Sequence, residues 1–296
     1  MKPQHQAYAA GLSAVLAWST VATAFKISLA HLHPAQLVLY ASLFSLFALL
    51  ALLGWQQRLG QLVESARQHW KRSLMLGAIN PLLYYLLLFH AYALLTAQEA
   101  QAINYTWALT MTLLAIPLLK QPLKLQDGLA ALICYLGVLT IATHGALLSL
   151  HFSQPLGVGF ALASTVLWAV YWLINTRDHR EPVIALTLNF ALSLPLTLAW
   201  CAYSGELHAV AWQGLLGAAY VGAFEMGFTF ALWLYAMKLT DSTAKIANLI
   251  FLSPLLSLML IHFILGEPIL ASTGQGLALI LCGLLLQKIP IKRRLP

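Results

Sequence analysis

The sequence predicts an all-α integral membrane protein with ten transmembrane helices in two inverted five-helix repeats. Three observations support this fold class: an apolar composition, long apolar runs joined by short basic loops, and an internal repeat in which positions 146 residues apart match. Each run is long enough to cross a bilayer as a helix.

The composition excludes a soluble protein. Of the 296 residues, 60% are hydrophobic and 8% are charged, and the mean hydropathy is +0.79. A soluble domain carries about 25% charged residues. The apolar runs are too continuous for barrel strands, so the spans are predicted to be helical. The net charge of +7 comes from basic residues scattered through short loops, so we expect no nucleic-acid partner.

Ten segments are apolar enough and long enough to be spans. They are 7–29, 34–54, 72–95, 98–119, 124–147, 155–176, 182–203, 211–237, 241–265 and 269–288. With the N-terminus inside, all 16 Lys and Arg residues except Lys26 fall on the inner side, as the positive-inside rule requires. Both termini are therefore predicted to be cytoplasmic. Ala22-Thr23-Ala24 resembles a signal-peptide cleavage site, which would leave one span fewer, but Trp18, Thr20 and Lys26 fit a retained helix.

The internal repeat divides the chain into residues 1–150 and 151–296. IPLLKQPLKLQDGLAALICYLG (116–137) aligns with HFILGEPILASTGQGLALILCG (262–283), which places Pro122 on Pro268 and Gly137 on Gly283. Because each half has an odd number of spans, the second half enters the membrane upside down. Inverted repeats are the architecture of many secondary transporters, with the substrate site where the halves meet. Apolar helices also resemble each other through low complexity, but the matched Pro and Gly positions favour a repeat.

The sequence resembles the drug/metabolite transporter superfamily, in particular its EamA-type members. The resemblance is carried by AWST (17–20), INYTWALTMTLLAIPLL (103–119), EMGFTFALWLYAMK (225–238) and NLIFLSPLLSLMLIHFILGEP (248–268). It implies ten spans in two five-span repeats. The Asn-Tyr-x-Trp pattern that begins at Asn104 is most similar to the branch with aromatic amino-acid exporters. Two features depart from the family pattern: Lys120-Gln121 replaces Gly-Glu in the first repeat, and Ala108 replaces a proline.

Polar and aromatic residues inside the spans are candidates for a substrate cavity, since such groups are costly in lipid. Several share a helix face by spacings of three and four residues: the sixth span carries a Trp-Tyr-Trp-Asn stripe, and the fourth a Gln-Asn-Tyr cluster. The candidate substrate-binding residues are Trp18, Thr20, Asn80, Tyr84, Gln101, Asn104, Tyr105, Trp168, Tyr171, Trp172, Asn175, Glu225, Lys245 and Asn248. Aromatic walls with a few amides suit amphipathic solutes. Packing between helices is the structural alternative for any one of them.

Glu225 lies in the middle of an apolar run, AAYVGAFEMGFTFALWLYAM (218–237). Three roles are open for it: binding a substrate ammonium group, carrying a coupling proton, or acting as a neutral, hydrogen-bonded structural acid. Lys26 lies within a turn of the outer end of its helix. Its two interpretations are snorkelling to the surface and attraction of anions into an outer vestibule.

These features predict a secondary transporter for small amphipathic metabolites, with amino acids the favoured substrates and export the direction implied by the resemblance. The alternatives are a transporter of other metabolites or drugs and a passive facilitator. The sequence contains neither a P-loop nor HExxH, so we expect no enzymatic activity, no cofactor and no metal. The expected partners are a small-molecule substrate and the lipid bilayer, and the expected location is the inner cell membrane.

Overall fold

The computed structural model describes residues 3–120, 125–147, 154–175, 177–240 and 249–288, together with Ile246. These residues form helices and connecting turns and contain no β-strand. The helices are α1 (Pro3–Leu29), α2 (Pro34–Trp55), α3 (Leu59–Gly77), α4 (Tyr84–Leu94), α5 (Ala97–Asn104), α6 (Trp107–Leu119), α7 (Leu125–Ala142), α8 (Pro155–Asn175), α9 (Pro182–Tyr203), α10 (Trp212–Tyr220), α11 (Thr229–Leu239), α12 (Leu252–Leu260) and α13 (Ala271–Lys288).

Among the described residues, three π-helical segments join or extend these helices to form longer helical rods. Ala78–Leu83 joins α3 to α4, Val221–Phe228 joins α10 to α11, and Ile261–Leu265 extends α12. The predicted span 72–95 therefore belongs to a longer rod that already begins at Leu59. The rod bends at Asn80, whose φ of −140° and ψ of 116° are extended. The following residue is Pro81, which has no N–H to donate and disfavours helical geometry in the residue before it, so the bend has a local cause.

The predicted span 98–119 is not one helix, since α5 ends at Asn104 and α6 begins at Trp107. The helix tightens at this point because the backbone N–H of Thr106 donates to the Ile103 carbonyl, three residues back. The Thr106 hydroxyl donates to the same carbonyl at 2.8 Å. A threonine side chain that bonds its own backbone competes with helix continuation, and the sequence pattern did not reveal it.

The predicted span 124–147 also ends early, because α7 stops at Ala142. His144 and Gly145 have φ values of 51° and 85°, which is the left-handed region that terminates helices. The Gly145 N–H donates to the Thr140 carbonyl at 2.8 Å. This bond closes the last turn.

The outer surface of the helices is apolar, as expected for a multi-pass membrane protein. Seven helices of the described residues are long and apolar enough to cross a bilayer, and Leu252–Leu265 and Ala271–Leu286 are shorter apolar helices. Large apolar side chains point outward along the rods, among them Leu16, Phe47, Leu132, Leu156 and Phe263. The count of ten spans stays a prediction.

The helices pack around a central space. α1 lies against α11 and α12, and α8 lies against α4 and α6, while α2 packs on α9. The most extensive pairing is between α7 and α13. There Gly137 lies so close to the partner helix that a Cβ atom would come within 2.5 Å of the Gly276 carbonyl and 2.9 Å of Ile280 Cγ1.

This close approach makes a matched pair of alanine substitutions informative. Gly137→Ala should destabilise the protein by about 1–3 kcal/mol, the usual cost of overpacking a tight contact. Gly128→Ala, in the same helix but with nothing within 4 Å, should leave stability unchanged or raise it slightly. Thermal unfolding of both variants in detergent measures the difference. Equal melting temperatures for the two variants would contradict the tight crossing.

Candidate functional site

A central cavity of about 420 Å³ lies where α1, α4, α5, α8 and α11 meet. Most of its wall is aromatic or aliphatic, with a small number of polar groups. The lining residues are Trp18, Val21, Ala22, Phe25, Tyr84, Leu88, Tyr92, Gln101, Asn104, Tyr105, Trp107, Ala108, Trp168, Trp172, Glu225, Phe230, Trp233, Ile250, Phe251 and Leu284. A mostly apolar concavity with a few polar groups is typical of a small-molecule site.

One wall of the central cavity is a continuous stripe on α1. Trp18, Val21, Ala22 and Phe25 follow the spacing i, i+3, i+4 and i+7, which places them on one helix face. The Trp18 ring centroid lies 5.6 Å from that of Phe230 and 5.4 Å from that of Trp233. α1 and α11 thus supply a joined aromatic surface.

The polar corner of the central cavity is formed by α5, whose Gln101 and Asn104 reach the wall together with Tyr105 just beyond the helix. The Asn104 side-chain amide donates to the Ser164 hydroxyl of α8 at 3.1 Å. The break before α6 allows Tyr105 to face the cavity while Trp107 starts the next helix. The structure therefore brings together the Gln-Asn-Tyr cluster that was predicted from spacing.

Glu225 lies on the cavity wall within the π-helical segment Val221–Phe228. The hydroxyl of the buried Tyr85 donates to Glu225 Oε1 at 3.2 Å. Among the residues that the structure describes, no Lys, Arg or His nitrogen lies within 4.0 Å of this carboxylate. Glu225 thus reaches the cavity wall with Tyr85 as its described hydrogen-bond partner.

Trp168 is the centre of the aromatic wall. Its ring stacks on Tyr84 with centroids 4.5 Å apart and on Tyr171 at 5.6 Å. It also makes edge contacts with Trp107 and Trp172. Offset-stacked and edge-to-face ring pairs each contribute about 0.5–1.5 kcal/mol beyond the area that they bury.

A second cavity, of about 160 Å³, lies on the other side of this wall. Trp168, Trp172 and Phe230 line both cavities and form what we call the aromatic partition. Beyond the partition the second cavity is lined by the predicted residues Asn80, Tyr171 and Asn175, and by Asp178, Arg180 and Asn189, which the sequence analysis did not single out as site residues.

The mouth of the second cavity carries an ion-pair cluster. Arg180 donates to both carboxylate oxygens of Asp178 at 2.6–3.1 Å, and Arg72 lies 3.4 Å from the same carboxylate. Arg180 also donates to the Ser73 hydroxyl of α3 at 2.6 Å. Although partial burial alone would raise the pKa of Asp178, the hydrogen bonds and charges of the two arginines lower it. The loop after α8 is thereby bound to α3 through Asp178 and Arg180.

Lys26 occupies neither cavity. Its ammonium group donates to the backbone carbonyls of Tyr92 and Leu95, both at 2.8 Å. Tyr92 lies in the last turn of α4 and Leu95 directly follows its end, where backbone carbonyls lack partners within the helix. The structure therefore adds a capping contact at the end of α4 to the two interpretations considered from sequence.

Some candidates are placed elsewhere or lie outside the described residues. Thr20 lines neither cavity, since its hydroxyl pairs with the Tyr220 hydroxyl at 2.6 Å. Lys245 and Asn248 are not among the residues described. Sequence reasoning also missed Phe25 and Tyr92, although the first continues the Trp18 stripe and the second follows Tyr84 at i+8. Periodicity could have revealed both.

Comparison with known proteins identifies the class of this cavity-bearing helical protein. The family model of the EamA-like transporter family matches the chain twice, over residues 5–143 and 155–287. The chain therefore belongs to the EamA-like transporter family, and with it to a family of transporters and not of enzymes. Its branch within the family is not resolved by this match.

Two individual proteins are similar along nearly their whole length. An uncharacterized transporter of Archaeoglobus fulgidus is 25% identical over 260 residues, which cover 86% of this chain and 87% of that protein. A protein of known crystal structure has a TM-score of 0.66 at 22% identity, covering 95% of this chain and 96% of the other. The latter supports the fold alone.

Proposed function

We propose that the protein is a secondary transporter that moves small amphipathic metabolites, with amino acids as the favoured class, through the central cavity. The observation that carries this proposal is the wall itself: a carboxylate bonded to Tyr85 stands among aromatic rings and two amides. Rings accept an apolar side chain, Glu225 accepts an ammonium group, and amides and hydroxyls bind a carboxylate.

We further propose that residues 1–150 and 151–296 are inverted repeats and that transport proceeds by alternating access. The double family match supports this. The helix contacts also occur in corresponding pairs: α1 with α11 and α8 with α4, then α1 with α12 and α8 with α6. π-helical segments interrupt both the third and the eighth predicted span.

The α7–α13 crossing supports the same offset of 146 residues. A Cβ atom on Gly137 would meet Gly276 and Ile280. A Cβ atom on Gly283 would meet Ala130 and Cys134, which are the repeat equivalents of those two residues. Similar halves of opposite orientation can exchange conformations. The loop charges support cytoplasmic termini in an inner cell membrane, and export is the direction we propose.

Counterflow into proteoliposomes tests the proposed function. Vesicles are preloaded with unlabelled amino acids, and labelled phenylalanine and leucine are added outside. We expect transient accumulation of label above equilibrium, because a carrier exchanges solute across the membrane. Entry without accumulation would indicate a passive facilitator. No entry of any amino acid would contradict the substrate class and direct the search to other metabolites and drugs.

A further inference from the structure

The second cavity contains an unusual set of polar atoms. Asn80 Oδ1, Trp172 Nε1 and both amide atoms of Asn189 are buried and have no hydrogen-bond partner among the residues that the structure describes. Asn80 is 3% exposed and Asn189 is 1% exposed. All three residues line the same space. Because buried polar groups are nearly always hydrogen-bonded, their convergence on one cavity indicates a binding site for a polar group.

The backbone fixes two of these side chains in place. Asn80 sits at the extended bend between α3 and α4, so its side chain leaves the helix surface it would otherwise share with Tyr84. Asn189 belongs to α9, where Gly77 of α3 lies against its backbone carbonyl so closely that no Cβ atom would fit. This close approach of α3 to α9 brings the backbone positions of Asn80 and Asn189 to the same cavity.

The set of donors and acceptors defines the chemistry of the ligand. Two amide oxygens, Asn80 Oδ1 and Asn189 Oδ1, accept hydrogen bonds, and two N–H groups, on Asn189 Nδ2 and Trp172 Nε1, donate them. Asp178 and Arg180 at the mouth contribute opposite charges that neutralise each other. The space of about 160 Å³ exceeds the requirement of one water molecule, about 10–15 Å³, roughly tenfold.

We propose that the second cavity is a subsite for the zwitterionic head group of the transported solute. The two amide oxygens accept from the ammonium group, while the Asn189 amide and the Trp172 indole donate to the carboxylate. The apolar side chain of the solute then lies against the aromatic partition. This inference rests on the proposed transport of amino acids. It adds a second binding site on the transport path, with Asn189 as a specificity-determining residue.

The test compares variants of α9 in proteoliposomes that contain the full-length protein. Asn189→Leu removes both polar atoms and keeps the branching and the number of side-chain heavy atoms. Thr187→Val is the matched control, because Thr187 is buried in the same helix, lines neither cavity, and bonds the Val183 carbonyl. The probes are labelled L-phenylalanine, 2-phenylethylamine, which lacks the carboxylate, and 3-phenylpropionate, which lacks the ammonium group.

We expect the wild type to prefer phenylalanine over both analogues. Asn189→Leu should raise the half-saturation concentration for phenylalanine at least tenfold, whereas Thr187→Val should stay within twofold of the wild type. Asn189→Asp, which has nearly the same shape, keeps an acceptor and loses the donor. It should shift the preference toward 2-phenylethylamine, which a merely structural role would not do.

The outcomes separate this inference from the proposed function. If the wild type transports phenylalanine but Asn189→Leu and Asn189→Asp behave like Thr187→Val, the subsite is refuted and the cavity holds water only. If the wild type accumulates neither phenylalanine nor leucine, the proposed substrate class fails before any variant is compared, and the zwitterion subsite fails with it. If Asn189→Leu does not fold, the shift of preference in Asn189→Asp decides alone.

Discussion

Replacing Glu225 by glutamine is expected to lower counterflow of labelled phenylalanine by about 10- to 100-fold. A hydrogen bond to a charged group contributes about 1.5–3 kcal/mol, and about 1.4 kcal/mol corresponds to a factor of ten in affinity. Glutamine keeps the size of the side chain and can still accept from Tyr85, but it has no charge to offer an ammonium group.

Two further variants show whether this loss is specific. Glu64→Gln removes a carboxylate from the exposed face of α3 and should leave counterflow unchanged. Tyr85→Phe deletes the donor to Glu225 while keeping the ring. A smaller loss of about threefold to tenfold is expected, because the carboxylate keeps its charge for the solute and loses only the bond that orients it.

Counterflow, measured together with uptake driven by a pH gradient, distinguishes the three roles of Glu225. If Glu225→Gln retains full counterflow but loses uptake driven by a pH gradient, the glutamate carries the coupling proton and does not bind the solute. If both activities survive in folded protein, the residue is a structural acid. Either result would remove the ammonium contact from the proposed mechanism.

Replacing Trp168 by alanine should have the second large effect. The side chain is 8% exposed and touches Tyr84, Tyr171 and Trp172. Deleting a buried tryptophan costs about 3–5 kcal/mol, so the melting temperature should fall steeply. The substitution also opens the aromatic partition between the two cavities. We therefore expect preloaded phenylalanine to leave the vesicles faster in solute-free buffer. The reason is that a smaller aromatic partition blocks uncoupled passage of solute between the two cavities less well.

Trp168→Phe and Trp200→Phe provide the comparison. Trp168→Phe retains a ring for the stack on Tyr84 and should fold, yet its smaller ring should still increase the leak. Trp200 is 40% exposed on α9 and outside both cavities, so its replacement should change neither property. Unchanged leak in both Trp168 variants would mean that the partition is only structural packing.

The sequence alone could predict which residues share a helix face wherever all of them belong to one unbroken helix. The fixed angle between successive helical residues placed Trp168 and Trp172 together, and the structure brings both to the cavity walls. The same rule would put Asn80 on the face of Tyr84, four residues later, but the two residues line different cavities. The intervening bend turns Asn80 away from the face that an unbroken helix would give it.

Contacts between distant parts of the chain could not be read from the sequence. Asn189 carries no local signal, and it becomes a candidate because α9 packs against α3 and its amide finds no protein partner among the described residues. Likewise, no pattern indicates that Tyr85 bonds Glu225, since 140 residues separate the two. The bonds of Lys26 to the end of α4 are equally non-local.

The wide turns of Val221–Phe228 set the angular phase of the helix that follows. Successive residues of an α-helix are rotated by about 100° and rise about 1.5 Å, whereas a π-helical segment holds more residues in each turn. Loss of one residue there would shorten the rod very little but would turn Phe230 and Trp233 by about 100° away from the cavity. If a relative has a one-residue gap at this point of the alignment, a different set of α11 side chains therefore faces its cavity.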